Sequence, residues 1–412
     1  MREPGFNTKA IHGSTPKPDV HRAIRFPIYS GVAYDFESAE NIEGAFTGRI
    51  PAHIYSRSSN PTVAAFESKM TSLENGHGTV ALSSGMAAIS NTLLNLLEKG
   101  DNILASNYLF GNTYSLFMHT LPNFGIETRF VDITRPDTIE QALDGRTRLI
   151  FFETISNPQM IVPDIVELVD IGKSNNLTVI VDSSVTSPYL FQASEYGADI
   201  VIHSTTKFIS GGATSVGGAI IDLGNANWSN FPSLQKYHHL KQDAFLARLR
   251  KEGYRNFGSC MSPQAAHFQS LGLETLSLRV EKSCANAMTV AKFLEQKQDV
   301  TTVFYPGLDS SPFHEIAQKQ FNGHFGGILS FELENKETSF KFINALKLIR
   351  CATNLNDNVS LIIHPASTIY ADFTPEQTSE MGITDKLIRL SVGIEDVEDL
   401  LYDIDQALRC VA

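Results

Sequence analysis

The chain has 412 residues, 42% of them hydrophobic and only 19% charged, which is enough apolar material for a large core and excludes a disordered protein. Length alone allows two or three domains. Its net charge of −12, without a basic run, excludes nucleic acid as a partner and means that local donors must hold any anionic ligand.

Cys260, Cys284, Cys351 and Cys410 form no CxxC pair, so neither a metal site nor a disulfide framework is expected and a reducing, cytoplasmic setting fits. Met1-Arg2-Glu3-Pro4 has no apolar signal character, and no apolar run is long enough for a membrane span.

Residues 1–54 are rich in Pro, Gly and Ser, lack periodicity and read as an extended N-terminal arm. From 55 to 256, short apolar runs at 78–81, 102–105, 127–131, 148–153, 177–182, 200–203 and 217–222 alternate with helical patterns such as 86–97 and 161–174. Runs that are apolar throughout are strands covered on both faces, and strands alternating with helices predict an α/β fold with a mostly parallel sheet. From 257 to 412 the rhythm changes. Amphipathic helices at 264–273, 275–296, 337–346 and 397–408 accompany strands at 326–332 and 387–392, which predicts a smaller C-terminal α+β domain.

Ligands of open α/β sheets bind beyond the carboxyl ends of the strands. Three predicted ends carry reactive groups: Glu153 through Asn157-Pro158, Asp182, and Ser204-Thr205-Thr206-Lys207. A lysine in such a place is seldom buried without a partner. A converging lysine and aspartate suit pyridoxal 5'-phosphate: the amine forms a Schiff base with the aldehyde, and the carboxylate keeps the ring nitrogen protonated. The competing reading is a structural salt bridge.

Ser84-Gly85-Met86 opens the helix after the first strand, where free N–H groups favour a phosphate; ordinary capping is the alternative. Ser204 and Thr206 can add hydroxyl donors, or serve only the turn. Tyr55 and Arg57 can bind phosphate oxygens, in this subunit or a partner's, or form a solvated loop. Phe110 offers an aromatic wall for a flat ring, or simply packs in the core. Arg389, inside the apolar run 387–392, needs an anion: a substrate carboxylate, aided by Ser367, or a structural ion pair.

Taken together, Tyr55-Ser56-Arg57 with Asn60-Pro61-Thr62, Ser84-Gly85-Met86-Ala87-Ala88, Glu153 through Asn157-Pro158, Asp182, Ser204 through Lys207, and Arg389-Leu390-Ser391-Val392-Gly393 resemble the Cys/Met-metabolism (trans-sulfuration) family of pyridoxal-phosphate enzymes. The resemblance implies fold type I, the aspartate-aminotransferase-like architecture. It implies Lys207 as the Schiff-base lysine and Asp182 beneath the ring nitrogen. Gly85, Met86, Ser204 and Thr206 would bind phosphate, and Asn157 the cofactor hydroxyl or the substrate. It also implies Tyr55 and Arg57 reaching a neighbouring subunit's phosphate, Ser367 and Arg389 on the carboxylate of a small amino-acid substrate, and a homotetramer built from dimers.

Within the family the resemblance leans to the O-acetylhomoserine sulfhydrylases, on residues 217–222 with Asn227-Trp228, on 271–281 and on 363–368. This implies replacement at the γ-carbon of O-acetylhomoserine by sulfide or a thiol. The alternatives are γ-elimination (a methionine, cystathionine or homocysteine γ-lyase), cystathionine γ-synthesis, or a silent cofactor-binding homologue. Phe110 stands where many relatives have a tyrosine, and Asn112 where methionine γ-lyases often have cysteine. Both departures tilt the reading from elimination towards replacement. Gly212 replaces a histidine common in relatives, with no assigned consequence.

Overall fold

The computed structural model describes residues 3–13 and 19–411. Seven strands build the larger sheet: β1 (Gly78–Leu82), β2 (Asn102–Ser106), β3 (Glu127–Val131), β4 (Thr147–Glu153), β5 (Thr178–Asp182), β6 (Ile200–His203) and β7 (Gly218–Asp222). Their spatial order is β1-β7-β6-β5-β4-β2-β3, with β7 alone antiparallel to its neighbours.

The pleat explains why these strands read as continuous apolar runs. Phe151, Ile180, Ile202 and Ile220 face one apolar layer, while Phe152, Val181, Val201 and Ile221 face the other. Both faces are covered, so neither set can be polar. Truncating one of these side chains, for example Phe152→Ala, costs about 3–5 kcal/mol.

A second sheet of five strands follows: β8 (Thr302–Phe304), β9 (Ile328–Glu332), β10 (Arg350–Cys351), β11 (Leu361–Ile363) and β12 (Leu387–Ser391), ordered β10-β11-β12-β9-β8. Helices Leu276–Glu295, Lys336–Ala345 and Val397–Leu408 accompany it. The last of them buries Leu400, Ile404, Ala407 and Leu408, a stripe at helical spacing.

The structure departs from the sequence reading at specific places. The described part of the arm is not wholly extended. It contains helices Phe6–His12 and Ala39–Phe46, the latter capped by Ser38, whose hydroxyl accepts from Asn41 N–H. Arm positions 1, 2 and 14–18 lie outside the described residues. The helix expected from 161 begins at Ile165, because Met160 has a positive φ of 61° and Asp164 supplies the cap, accepting from Glu167 N–H. The strand expected from 326 begins at Ile328, because Gly326 turns the chain with φ +84°.

Candidate active site

Register carries the chemistry to one place. Glu153 at the end of β4 pairs with Asp182 at the end of β5, and Asp182 pairs with Ile202 of β6. The chain leaves β6 at His203 and turns through Ser204–Lys207. Thr206 closes this turn: its hydroxyl donates to Gly217 C=O at 3.2 Å and accepts from Gly217 N–H at 3.0 Å. A cavity of about 150 Å³ opens here, with Lys207, Asp182, Glu153, Asn157 and Phe110 in its wall. Gly85, Met86, Ser184, Ser204, Thr353 and Leu355 complete most of the rest.

Burial sets the state of each titratable group. Loss of water and, after it, the Arg389 cation lower Lys207 to about 8, against the opposing carboxylates of Asp357 and Asp182. The carboxyls of Glu153 and Asp182 are both raised, again chiefly by burial, and Glu153 rises well above its ordinary value. Asp182 accepts from Ser184 N–H at 2.9 Å and lies near Lys207, and both His203 and Lys207 oppose the effect of burial on it. Glu153 Oε1 accepts from Phe110 N–H at 2.7 Å and so fixes the backbone at Phe110. Gly111, next in the chain, has no room for a Cβ, which would meet Ile369 C=O at 2.5 Å.

Arg389 is fully buried in the middle of β12. Its guanidinium donates to Asn157 Oδ1 at 3.3 Å, Thr353 C=O at 3.1 Å and Asn354 C=O at 2.9 Å. No carboxylate within the described residues forms an ion pair with it, and its buried Nε has no acceptor. The ion-pair reading of Arg389 therefore fails. A buried cation with only neutral acceptors is a site for an anion.

The donor set can be tested against pyridoxal phosphate. Ser84 Oγ caps helix Gly85–Leu96 by accepting from Ala87 N–H, while within the described residues the N–H groups of Gly85 and Met86 take no protein acceptor. A Cβ on Gly85 would lie 2.9 Å from Ser204 Oγ, so the glycine keeps the helix start and that hydroxyl together. An anion cradle, a buried carboxylate, an amine shifted towards neutrality and an aromatic wall thus share one cavity, and the residues present fit the cofactor.

Not every predicted residue converges. The Ser367 hydroxyl pairs with His364 Nδ1 at 2.8 Å and is not in the cavity wall. Tyr55 and Arg57 are also outside it. Arg57 donates to Arg255 C=O at 2.7 Å and lies over the Tyr55 ring. Sequence reasoning gave Glu153 no role and passed over Ser184 and the segment 353–357. That segment's cluster of Asn and Asp signals only a loop.

One further residue shapes the site from outside. Buried Arg279, on helix Leu276–Glu295, donates to Phe208 C=O and Gly272 C=O, each at 2.7 Å, and so grips the turn just after Lys207.

The family described as "Cys/Met metabolism PLP-dependent enzyme" matches residues 7–409. An L-methionine gamma-lyase of Pseudomonas putida is 38% identical over 99% of this chain and 98% of its own. An O-acetylhomoserine (thiol)-lyase of Campylobacter jejuni, solved with N'-pyridoxyl-lysine-5'-monophosphate, superposes with a TM-score of 0.93 at 37% identity over 98% of this chain and 99% of that one. An O-acetylhomoserine sulfhydrylase of Wolinella succinogenes is 46% identical, with a TM-score of 0.76 over 86% of this chain and 99% of its own. The mostly parallel sheet with its smaller companion is accordingly that of the fold type I pyridoxal-phosphate enzymes, and this chain belongs to the Cys/Met-metabolism family of them.

Proposed function

We propose that the protein catalyses γ-replacement on O-acetyl-L-homoserine, with sulfide or a thiol entering and acetate leaving, to give L-homocysteine or methionine. The observation that carries this reading is the cavity wall itself. Lys207 and Asp182 line it, and Arg389, which has no carboxylate partner among the described residues, reaches it through the wall residue Asn157, but the aromatic wall residue is Phe110, which has no phenol to move protons.

When bound, pyridoxal phosphate supplies an electron sink for charge developing at the substrate α-carbon. The remaining work falls to side chains of this chain. Arg389 takes the substrate carboxylate, with Asn157 between it and the cavity. Lys207, shifted towards neutrality, removes the proton at Cα and moves protons at Cβ. Asp182 holds the proton on the ring nitrogen. The N–H groups of Gly85 and Met86, with Ser204, hold the phosphate. The Cγ–O bond breaks with its electron pair leaving on acetate, and the Cγ–S bond forms from hydrosulfide.

Relatives named as sulfhydrylases speak for replacement. The L-methionine gamma-lyase relative speaks for a second reading, γ-elimination to a 2-oxo acid and ammonia. Purified holoenzyme given O-acetylhomoserine and sulfide should make homocysteine; none formed with cofactor bound would refute replacement. Release of 2-oxobutanoate from methionine without added thiol would favour elimination. Four free cysteines accord with a cytoplasmic setting.

The arm exposes Ile24 at 98% and Val20 at 83%, with Phe46 and Tyr55 also open. Such apolar exposure beside Arg57 accords with a homo-oligomer in which the arm completes a neighbour's site. Mixing inactive Lys207→Ala with inactive Arg57→Ala protein under exchange conditions should then restore activity.

A further inference from the structure

The Lys207 amine is held by another side chain. Nζ donates to Asn354 Oδ1 at 2.8 Å, and Asn354 Nδ2 donates in turn to Asp357 Oδ2 at 3.0 Å. The other Asp357 oxygen accepts from Asn358 N–H at 2.7 Å, which fixes the carboxylate. The same Asn354 offers its backbone C=O to Arg389 Nη2. One residue thus touches both cations of the site.

Its loop is pinned. Buried Asn356, with φ +54°, gives its N–H to Ser391 Oγ at 2.7 Å and its side-chain amide to Val185 C=O at 2.9 Å. The loop is therefore attached both to β12 and to the chain just beyond Asp182.

The chemistry of the holder matters. An amide oxygen accepts from a neutral amine and somewhat more strongly from an ammonium, so it orients nitrogen while favouring the proton only mildly. A carboxylate in the same place would favour the ammonium and oppose both nucleophilic and base chemistry. The charged groups facing Lys207 are Arg389, Asp357 and Asp182, with Glu153 in the same wall. Asp357 acts on the amine through the neutral Asn354, one hydrogen bond removed.

We propose that Asn354 is the positioning residue of Lys207: its side-chain amide, steadied by Asp357, parks the lysine amine at the cavity wall whenever that amine is not covalently engaged, and its backbone carbonyl on Arg389 couples the parked state to arrival of the substrate carboxylate. The coupling rests on the proposed function; the parking holds for any reaction of this cofactor.

The test is reconstitution of cofactor-stripped, full-length protein with pyridoxal phosphate across a pH series, followed by the visible absorption of lysine-bound cofactor. The parent rate should rise with pH through about 8, as the amine loses its proton. Asn354→Asp should move that midpoint up by about one pH unit, and Asn354→Ala should move it down, with far-ultraviolet circular dichroism unchanged. Opposite shifts are the signature that a merely structural residue would not produce. Midpoints that stay at the parent value, or move in one direction together, overturn the proposal. If Asn354→Asp does not fold, Asn354→Ala decides alone: a downward shift supports parking and no shift overturns it. No amino-acid substrate enters this experiment, so failure of homocysteine synthesis would strike the proposed reaction and leave the parking role standing.

Discussion

At Lys207 the protein accepts a thermodynamic penalty. Below about pH 8 the folded state must either charge a buried amine or hold it neutral, whereas the unfolded chain keeps its ordinary value of 10.5. The folded state therefore binds fewer protons between those two values, and stability rises with pH across that window. Lys207→Met, which buries an uncharged stem, should raise the thermal midpoint of the cofactor-free protein at pH 7. The gain should shrink as pH climbs from about 8 towards 10.5, and a gain independent of pH would contradict this account. Borohydride should leave no reduced cofactor on the variant. Arg389 makes a parallel case. Arg389→Ala should raise KM for the amino-acid substrate about 10- to 100-fold, the worth of a charge-assisted hydrogen bond. Arg389→Met should leave the fold at least as stable, since no carboxylate loses its partner. Melting curves that fall by many degrees would restore the structural reading. Lys207, Asp182 and Arg389 were legible because each is a charge at the end of, or inside, an apolar run. Asn354 was not, because an amide in a loop of amides carries no periodicity. Ser367 misled because a serine near the right strand looks the same whether its hydroxyl meets a ligand or, as here, His364.

Among the elements, the antiparallel β7 shows how tightly sheet and anion cradle are joined. Gly218 begins it, and a Cβ there would meet Ser84 C=O at 2.1 Å and Gly85 N at 2.8 Å. Those are backbone atoms of the helix start and cannot swing aside. Gly218→Ala should cost about 1–3 kcal/mol as an overpacked contact, and it should weaken pyridoxal-phosphate affinity in a direct titration. Unchanged affinity would separate the cradle from the sheet. β7 ends in Asp222, whose carboxyl is raised to about 6, first by burial and then by Asp199 and Asp243, against Gly224 N–H and His77. Its Oδ2 is buried without a hydrogen-bond partner among the described residues. A carboxyl raised in the folded state contributes stability below its ordinary value near 3.8 that is lost as pH rises through about 6. Asp222→Asn should therefore gain roughly 1–3 kcal/mol over the parent at pH 8 and little at pH 4; equal gains at both would argue against it. Strand positions were readable because both faces of the sheet are apolar. The starts of the helix at Ile165 and of β9 were misjudged because backbone turns at Met160 and Gly326 leave no mark in hydrophobic pattern.

For the molecule as a whole, the cavity belongs to neither sheet alone. Asp182 and Lys207 come from the larger one and the turn after it, whereas Thr353 and Leu355 come from the loop of the smaller one, with Arg389 and Asn354 bonded to the wall residues Asn157 and Lys207. The sequence reading caught the change of rhythm near residue 257 but not this sharing, because contacts between distant segments have no local signature. Arg279 gives the sharing a mechanical form. It sits on a helix that belongs, by sequence, to the later half of the chain, yet two of its three side-chain hydrogen bonds end on carbonyls outside that helix, at Phe208 and Gly272, the third going to Thr275 Oγ1. A ribosome that has released only the first 260 or so residues has therefore made every atom of the reactive turn but not the brace that shapes it. On the proposed role of Lys207, its amine should reach its working pose only once the long helix is synthesised and docked, so a chain released at about residue 260 should capture no cofactor.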